Sequence, residues 1–216
     1  MTGWTIAAAE LRIPWGSTFA AHRMIIVADP QLNAVRQVNG LASWYDRRGE
    51  RWRHKPIGYL GSDRLRGYDT REHPQTRLPI NGVGRSGSVA QAIEEGAVKV
   101  LADGLAEADV EAHLAPGLET MRRINALSEG PEGGSGLPYP FLGFGPNSNS
   151  FFFTLLHAME FDEPEFARPA RLIPGAGALL LPQRALAEIR QSRLSASGAR
   201  KPAMASAMAS TPAAVG

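Results

Sequence analysis

The chain has 216 residues, of which 44% are apolar and 20% are charged, an ordinary composition for a folded globular protein. Its 23 basic and 21 acidic residues give a formal net charge of +2, which is too small an excess to indicate nucleic-acid binding by itself. Cysteine is absent, which excludes disulfides, cysteine-ligated metal centres and a cysteine nucleophile. We therefore expect no nucleic-acid partner, no metal site and no cofactor.

The beginning of the chain, MTGWTIAAAE, lacks the basic start and the long apolar run of a secretory signal. No apolar stretch approaches the roughly 20 residues that a membrane-spanning helix needs. These features predict a soluble, cytoplasmic protein with no membrane span.

The first part of the chain is rich in β-branched residues and predicts strands. Residues 4–15 show broken alternation that ends at a proline, which is typical of an edge strand. Residues 19–40 predict a β-hairpin with an Asp-Pro turn, and Val35 and Val38 break the strict alternation and indicate a bulge. A further short strand is predicted at residues 56–60.

The second half of the chain predicts helices. Apolar positions recur every three or four residues over 108–127, which indicates an amphipathic helix that Pro116 divides or starts. A buried helix is predicted directly after Pro146, where asparagine and serine precede an apolar run. Residues 192–216 are rich in Ala, Ser, Met and Pro and predict a disordered tail. We expect a single α+β domain over residues 1–191.

The polar segment Asn147-Ser148-Asn149-Ser150 at the start of that buried helix is the main candidate for chemistry. Its side-chain oxygens can simply cap the helix, because the first N–H groups of a helix have no partner inside the helix. Alternatively, Ser148 acts as a nucleophile, and the same N–H groups stabilise the oxyanion that forms during its attack. Both interpretations remain open from the residues alone.

A serine nucleophile needs a base. Among the five histidines, His54 and His73 fall in polar loops, and His113 and His157 fall on predicted helices. His22 opens a predicted strand, at the sheet edge where side chains emerge beside helix ends. His22 is therefore the candidate base, although a histidine at a strand start can also be purely structural.

These two segments resemble a known enzyme family. The strand FAAHRMIIVAD with His22, followed 126 residues later by NSNSF with Ser148, is similar to the histidine strand and the Asn-Cys-Glu-His-Phe-like motif of circularly permuted papain-like enzymes. These enzymes form the lecithin retinol acyltransferase and H-rev107 branch of the NlpC/P60 superfamily. The resemblance implies an antiparallel sheet packed on a few helices, and acyl transfer or hydrolysis of an amide or ester through an acyl-enzyme. Ser148 takes the position of the family's cysteine, and His22 takes that of its base.

In that interpretation backbone N–H groups, with Asn147 or Asn149, stabilise the oxyanion, and the substrate is a small molecule, lipid or peptide of unspecified identity. A hydroxyl does not ionise near neutrality as a thiol can, so Ser148 requires a well-placed base or the protein is catalytically inactive. The rival hypothesis is a binding or structural module in which the polar segment caps a helix and holds a peptide or glycan. A third is nucleotide binding at the G-x-G-x-x-G sequence Gly82–Gly87, which requires a buried strand directly before it.

Overall fold

A computed structural model of the protein describes residues 2–15, 18–80, 88–127, 136–140, 145–166 and 172–198. The described residues form seven strands and four α-helices, which confirms the predicted α+β class. In chain order these are β1 (Trp4–Trp15), β2 (Thr18–Ala28), β3 (Ala34–Asp46), β4 (Arg51–Lys55), β5 (Arg64–Asp69), α1 (Ala90–Glu94), β6 (Val98–Leu105), α2 (Glu107–Ala126), β7 (Leu137–Pro138), α3 (Ser148–Ala158) and α4 (Gln183–Gly198).

The strands form one antiparallel sheet in the order β6-β1-β2-β3-β5-β7, and β4 also pairs with β3. The predicted strand at 4–15 is confirmed as β1, but its position as an edge strand is wrong for its first half. Residues Trp4 to Ala9 pair with β6 on the side away from β2. The prediction failed because β6 lies about ninety residues further along the chain, beyond the reach of a local pattern.

The predicted hairpin over 19–40 is confirmed as β2 and β3, and β3 continues well past its predicted end. The bulge is also confirmed, since Val27 pairs with Arg36 while Ala28 pairs with Ala34. Val35 is therefore the extra residue, and its side chain is exposed. Such a bulge bends the strand and increases its twist.

The predicted short strand at 56–60 is wrong, because these residues connect β4 to β5 without strand pairing. The connection is held by the buried Asp63 carboxylate, which accepts hydrogen bonds from the backbone N–H groups of Tyr59 (2.9 Å) and Leu60 (2.8 Å). Lys55 at the end of β4 forms an ion pair with the same carboxylate at 2.8 Å. The Asp63 side chain thus accepts hydrogen bonds from backbone N–H groups that would otherwise pair with a neighbouring strand.

The predicted helix over 108–127 is confirmed as α2, and Pro116 does not divide it. Leu114, Ala115 and Gly117 on either side of the proline are buried, so packing offsets the missing N–H hydrogen bond. None of the described helices combines the length and the apolar character needed to cross a membrane.

The two faces of the sheet are covered by different elements. Ile25 and Val27 of β2 face the larger core, which contains the apolar side chains of α2, α3 and α4. Met24 and Ile26 alternate with them and face a smaller core with residues of α1 and the segment before it. We call these the helix face and the α1 face of the sheet.

Two predictions fall partly outside the described residues. Helix α4 continues to Gly198, past the expected domain boundary at 191, and residues 199–216 are not described. Arg, Leu and Ala in residues 193–196 favour helix.

The Gly82–Gly87 motif also lies outside the described residues, but residues 77–80 before it form no strand. The strand that dinucleotide binding requires is therefore missing from the described segment in front of the glycines.

Candidate functional site

Helix α3 begins as the sequence predicts. Asn147 is its N-cap, and the side-chain oxygen accepts hydrogen bonds from the backbone N–H groups of Asn149 (2.8 Å) and Ser150 (3.2 Å). The Ser150 hydroxyl donates to the carbonyl of Gly175 at 3.1 Å. Asn147 and Ser150 therefore both stabilise the fold around the first turn of the helix.

Asn149 joins α3 to the part of β2 that does not pair with β3. Pairing between β2 and β3 ends at Ile25, and before it Ala20 forms a parallel bridge with Leu172. The Asn149 Oδ1 accepts from the Arg23 N–H at 3.1 Å, and Nδ2 donates to the carbonyls of Ala21 (2.9 Å) and Pro174 (3.1 Å). Both amide hydrogens are thus already used, and neither is left to stabilise an oxyanion.

Ser148 lies beneath the surface, with 4% of its area exposed. Both its side chain and its backbone are hydrogen-bonded to the phenol of Tyr139, which the Gly58 backbone also contacts. Burial raises the pKa of Tyr139, and these hydrogen bonds only partly oppose the rise. Tyr139 is therefore a neutral phenol at neutral pH and does not serve as a base for Ser148.

His22 is 1% exposed, and among the described residues neither ring nitrogen has a hydrogen-bond partner. Burial lowers the pKa of His22 to about 4, and the nearby Pro56 backbone only partly opposes this. Arg23 stacks on Phe153 of α3 at 5.8 Å, whereas Met24 packs on the α1 face. Since side chains of a strand alternate between faces, His22 points to the α1 face, away from α3.

The structure therefore brings the two predicted segments together but forms no hydrogen bond between His22 and Ser148. Asn149 bonds the backbone of both residues that flank His22. The prediction concerned the His22 imidazole and the Ser148 hydroxyl face to face, and the contact through Asn149 is a different one. The orientation of the imidazole could not be read from the motif, because it depends on the register of β2 in the sheet.

A second site, which sequence reasoning missed, is a cleft of about 970 Å³ beside β4. We call it the β4 cleft. It is lined by residues of β3, β4 and β5, of the segment after β5, and of α2. Its aromatic and basic side chains include Trp52, His54, Arg66, Tyr68 and His73. A volume of this size falls within the range of small-molecule and cofactor sites.

Aromatic rings and an arginine side chain pack against each other in the β4 cleft. The Arg66 guanidinium lies over the ring of Trp52, 4.3 Å from its centroid. The ring of Tyr68 stands between two imidazoles, with centroid distances of 5.9 Å to His54 and 5.5 Å to His73. The cleft therefore presents flat aromatic surfaces together with positive charge.

The sequence signal for this cleft was the run Arg51-Trp52-Arg53-His54-Lys55, in which basic and aromatic residues alternate. The predicted loop at His54 is wrong, because this run forms β4 and pairs with β3. His54 Nε2 lies 3.0 Å from the Gln75 carbonyl oxygen. Period-two alternation with a strand partner would have identified the segment.

No protein family, curated protein or solved structure was found to match this chain. In the part of the chain that the structure describes, no three His, Asp or Glu side chains are grouped to hold a metal ion. The chain's own geometry offers two candidate sites, the α3 N-terminus and the β4 cleft.

Proposed function

We propose that the protein is a non-catalytic binding module that holds an anionic ligand in the β4 cleft. The observation that carries this proposal is the contrast between the two sites. At the α3 N-terminus the polar side chains of residues 147–150 hydrogen-bond to neighbouring parts of the fold. In the cleft, exposed arginines and aromatic rings surround an open volume of about 970 Å³.

Charge supports an anionic ligand. Residues 46–55, which form the β3–β4 turn and β4, contain five basic and two acidic residues, a net +3 against +2 for the whole chain. Of the acidic residues, Asp46 is paired with Arg53 at 3.3 Å. Lys55 is neutralised by Asp63, but the lining of the cleft contains Arg51, Arg53 and Arg66 against Asp46 alone, and this positive charge attracts anions.

Acyl transfer or hydrolysis through Ser148 and His22 is a second candidate function, and one observation favours it. Within the described part of the chain neither nitrogen of His22 has a hydrogen-bond partner, so the neutral ring can accept a proton, and its pKa of about 4 makes it a weak base. Substrate binding would have to turn this imidazole toward the Ser148 hydroxyl. Backbone N–H groups at the start of α3 would then stabilise the oxyanion, and the Asn147 and Asn149 side chains would stay in their structural bonds.

A fluorophosphonate serine probe separates the two candidates. We expect no labelling of Ser148 in the wild-type chain, because its hydroxyl is hydrogen-bonded to a neutral phenol, which does not remove its proton. Intact-protein mass spectrometry compares wild type with Ser148→Ala and His22→Ala. A label that is present in wild type and lost in both variants would establish the catalytic interpretation.

Binding in the cleft is tested with inorganic polyphosphate, an anion without bases or sugars. We expect it to quench the tryptophan fluorescence saturably, and the double variant Arg51→Ala/Arg53→Ala to bind about tenfold more weakly at low salt. The matched control is Arg184→Ala, an exposed arginine on α4, which lies on the helix face of the sheet. An equal loss in the control, or no saturable binding, contradicts the proposed function.

A further inference from the structure

We propose that the ligand of the β4 cleft is single-stranded nucleic acid, whose bases stack on the aromatic rings while the arginines hold its phosphates. This inference rests on the proposed function, since it names the ligand class of the same cleft. The overall charge of the chain predicted no nucleic-acid partner. The fold changes that expectation, because it concentrates the positive charge and the aromatic rings in one place.

Trp52 and Arg66 form the first stacking surface. The guanidinium covers one part of the indole at 4.3 Å from the ring centroid, and Tyr45 contacts the indole edge-on at 5.6 Å. Tyr45 is 39% exposed. Unstacked bases of single strands bind to such aromatic rings and guanidinium planes, and every base can do so because every base has a flat face.

Tyr68 supports the rings beside it and is not itself a stacking surface, because it is only 6% exposed. Its hydroxyl donates to Ser43 Oγ at 2.9 Å, and His54 Nε2 is bonded to the Gln75 carbonyl at 3.0 Å. The half-buried His54 ring is therefore held in place before a ligand arrives, and a ring that is already fixed loses little conformational entropy when a base packs on it.

The phosphates would lie along β4. Among the described residues β4 pairs only with β3, so its other edge is unpaired. Arg51 and Arg53 are exposed on this strand and alternate with Trp52 and His54. Because side chains of a strand alternate between faces, Arg51 and Arg53 project to one side of β4 and Trp52 and His54 to the other. Both sets line the cleft, so the phosphates and bases of one strand would contact opposite sides of β4.

Two other ligands fit the cleft less well. A sugar is usually held by carboxylates and amides, but the Asp46 carboxylate already binds Arg53 and accepts hydrogen bonds from the N–H groups of Arg48 (3.1 Å) and Gly49 (3.3 Å). A nucleic-acid duplex keeps its bases stacked inside, so they cannot reach rings of the protein. Stacking rings with few open acceptors favour a single strand.

The experiment measures fluorescence anisotropy of labelled oligothymidylate of about twelve nucleotides, against an abasic strand with the same phosphates and against a duplex. We expect the full-length protein to bind the single strand about tenfold or more tightly than the abasic strand. Trp52→Ala should remove most of this difference, and Trp52→Phe, which keeps a ring, should restore much of it. Arg51→Ala should lower the salt dependence by about one phosphate contact. Arg184→Ala should bind like the wild type.

Each outcome has a separate meaning. Equal binding of the oligothymidylate and the abasic strand, or tighter binding of the duplex, overturns the stacking proposal and leaves an anion-binding module. Failure of oligothymidylate together with failure of polyphosphate overturns the proposed function as well. Thermal unfolding of each variant shows whether Trp52→Ala is folded. If it is not, the contrast between the oligothymidylate and the abasic strand, measured with Arg66→Ala, decides the question.

Discussion

Replacing Asn149 with leucine is expected to lower the free energy of unfolding by about 4 kcal/mol. Leucine has a similar size but no polar atoms, so the N–H of Arg23 and the carbonyls of Ala21 and Pro174 lose their partner. Each buried backbone group left without a hydrogen bond costs roughly 1–3 kcal/mol. Urea denaturation followed by circular dichroism measures the change.

Two neighbouring variants serve as controls for the Asn149 prediction. Ser150→Ala removes one side-chain bond, to the Gly175 carbonyl, and should cost only about 1 kcal/mol. Asn149→Asp keeps the acceptor for the Arg23 N–H but sets a buried carboxylate against the carbonyls of Ala21 and Pro174, so at neutral pH it should cost at least as much as leucine. A loss below about 1 kcal/mol for leucine would show that the Asn149 amide does not hold β2 to α3.

Acidification is expected to destabilise the protein by about 3 kcal/mol through His22 alone. The pKa of His22 is about 4 in the folded chain, against an ordinary value of 6.5 when the chain is unfolded. Between these values the unfolded state binds more protons, so folding becomes weaker as the pH falls from 6.5 to 4. Above pH 6.5 the contribution of His22 is fully present, and below pH 4 it has been lost.

The His22 prediction is checked by urea denaturation at several pH values between 7.5 and 4. His22→Leu should flatten the part of the curve between 6.5 and 4, because leucine does not titrate there. NMR titration of the His22 imidazole provides a second measurement on the wild-type chain. A His22 pKa near 6.5, or an unchanged pH profile in the variant, would contradict the buried neutral state.

The motif suggested that His22 is a catalytic base, but the structure buries its side chain and gives its ring nitrogens no hydrogen-bond partner among the described residues. A histidine at the head of a strand, before a serine at the head of a helix, suggested a pair of reacting groups. Asn149 does bond the two segments to each other, but alternation along β2 directs the imidazole to the α1 face. A shift of one residue in strand register would have reversed its direction, which is why a motif without a sheet cannot predict it.

Local patterns were sufficient for several elements of the fold. The hairpin of β2 and β3, its bulge at Val35, the capped start of α3 and the course of α2 all depend on residues close together in the chain. Alternation, capping and helical periodicity act over a few residues, and so they are readable from sequence. Pro116 was the exception within α2, because burial on either side of it outweighed its local effect.

The amino-acid sequence by itself determined the α+β class, the hairpin and the segments that contain Ser148 and His22. Only the tertiary structure decided that β6 covers half of β1, that His22 faces away from α3, and that Trp52, Arg66 and Tyr68 surround one cleft. These relations join residues far apart in the chain, and long-range pairing in a sheet is set by the packing of both its faces rather than by any local pattern.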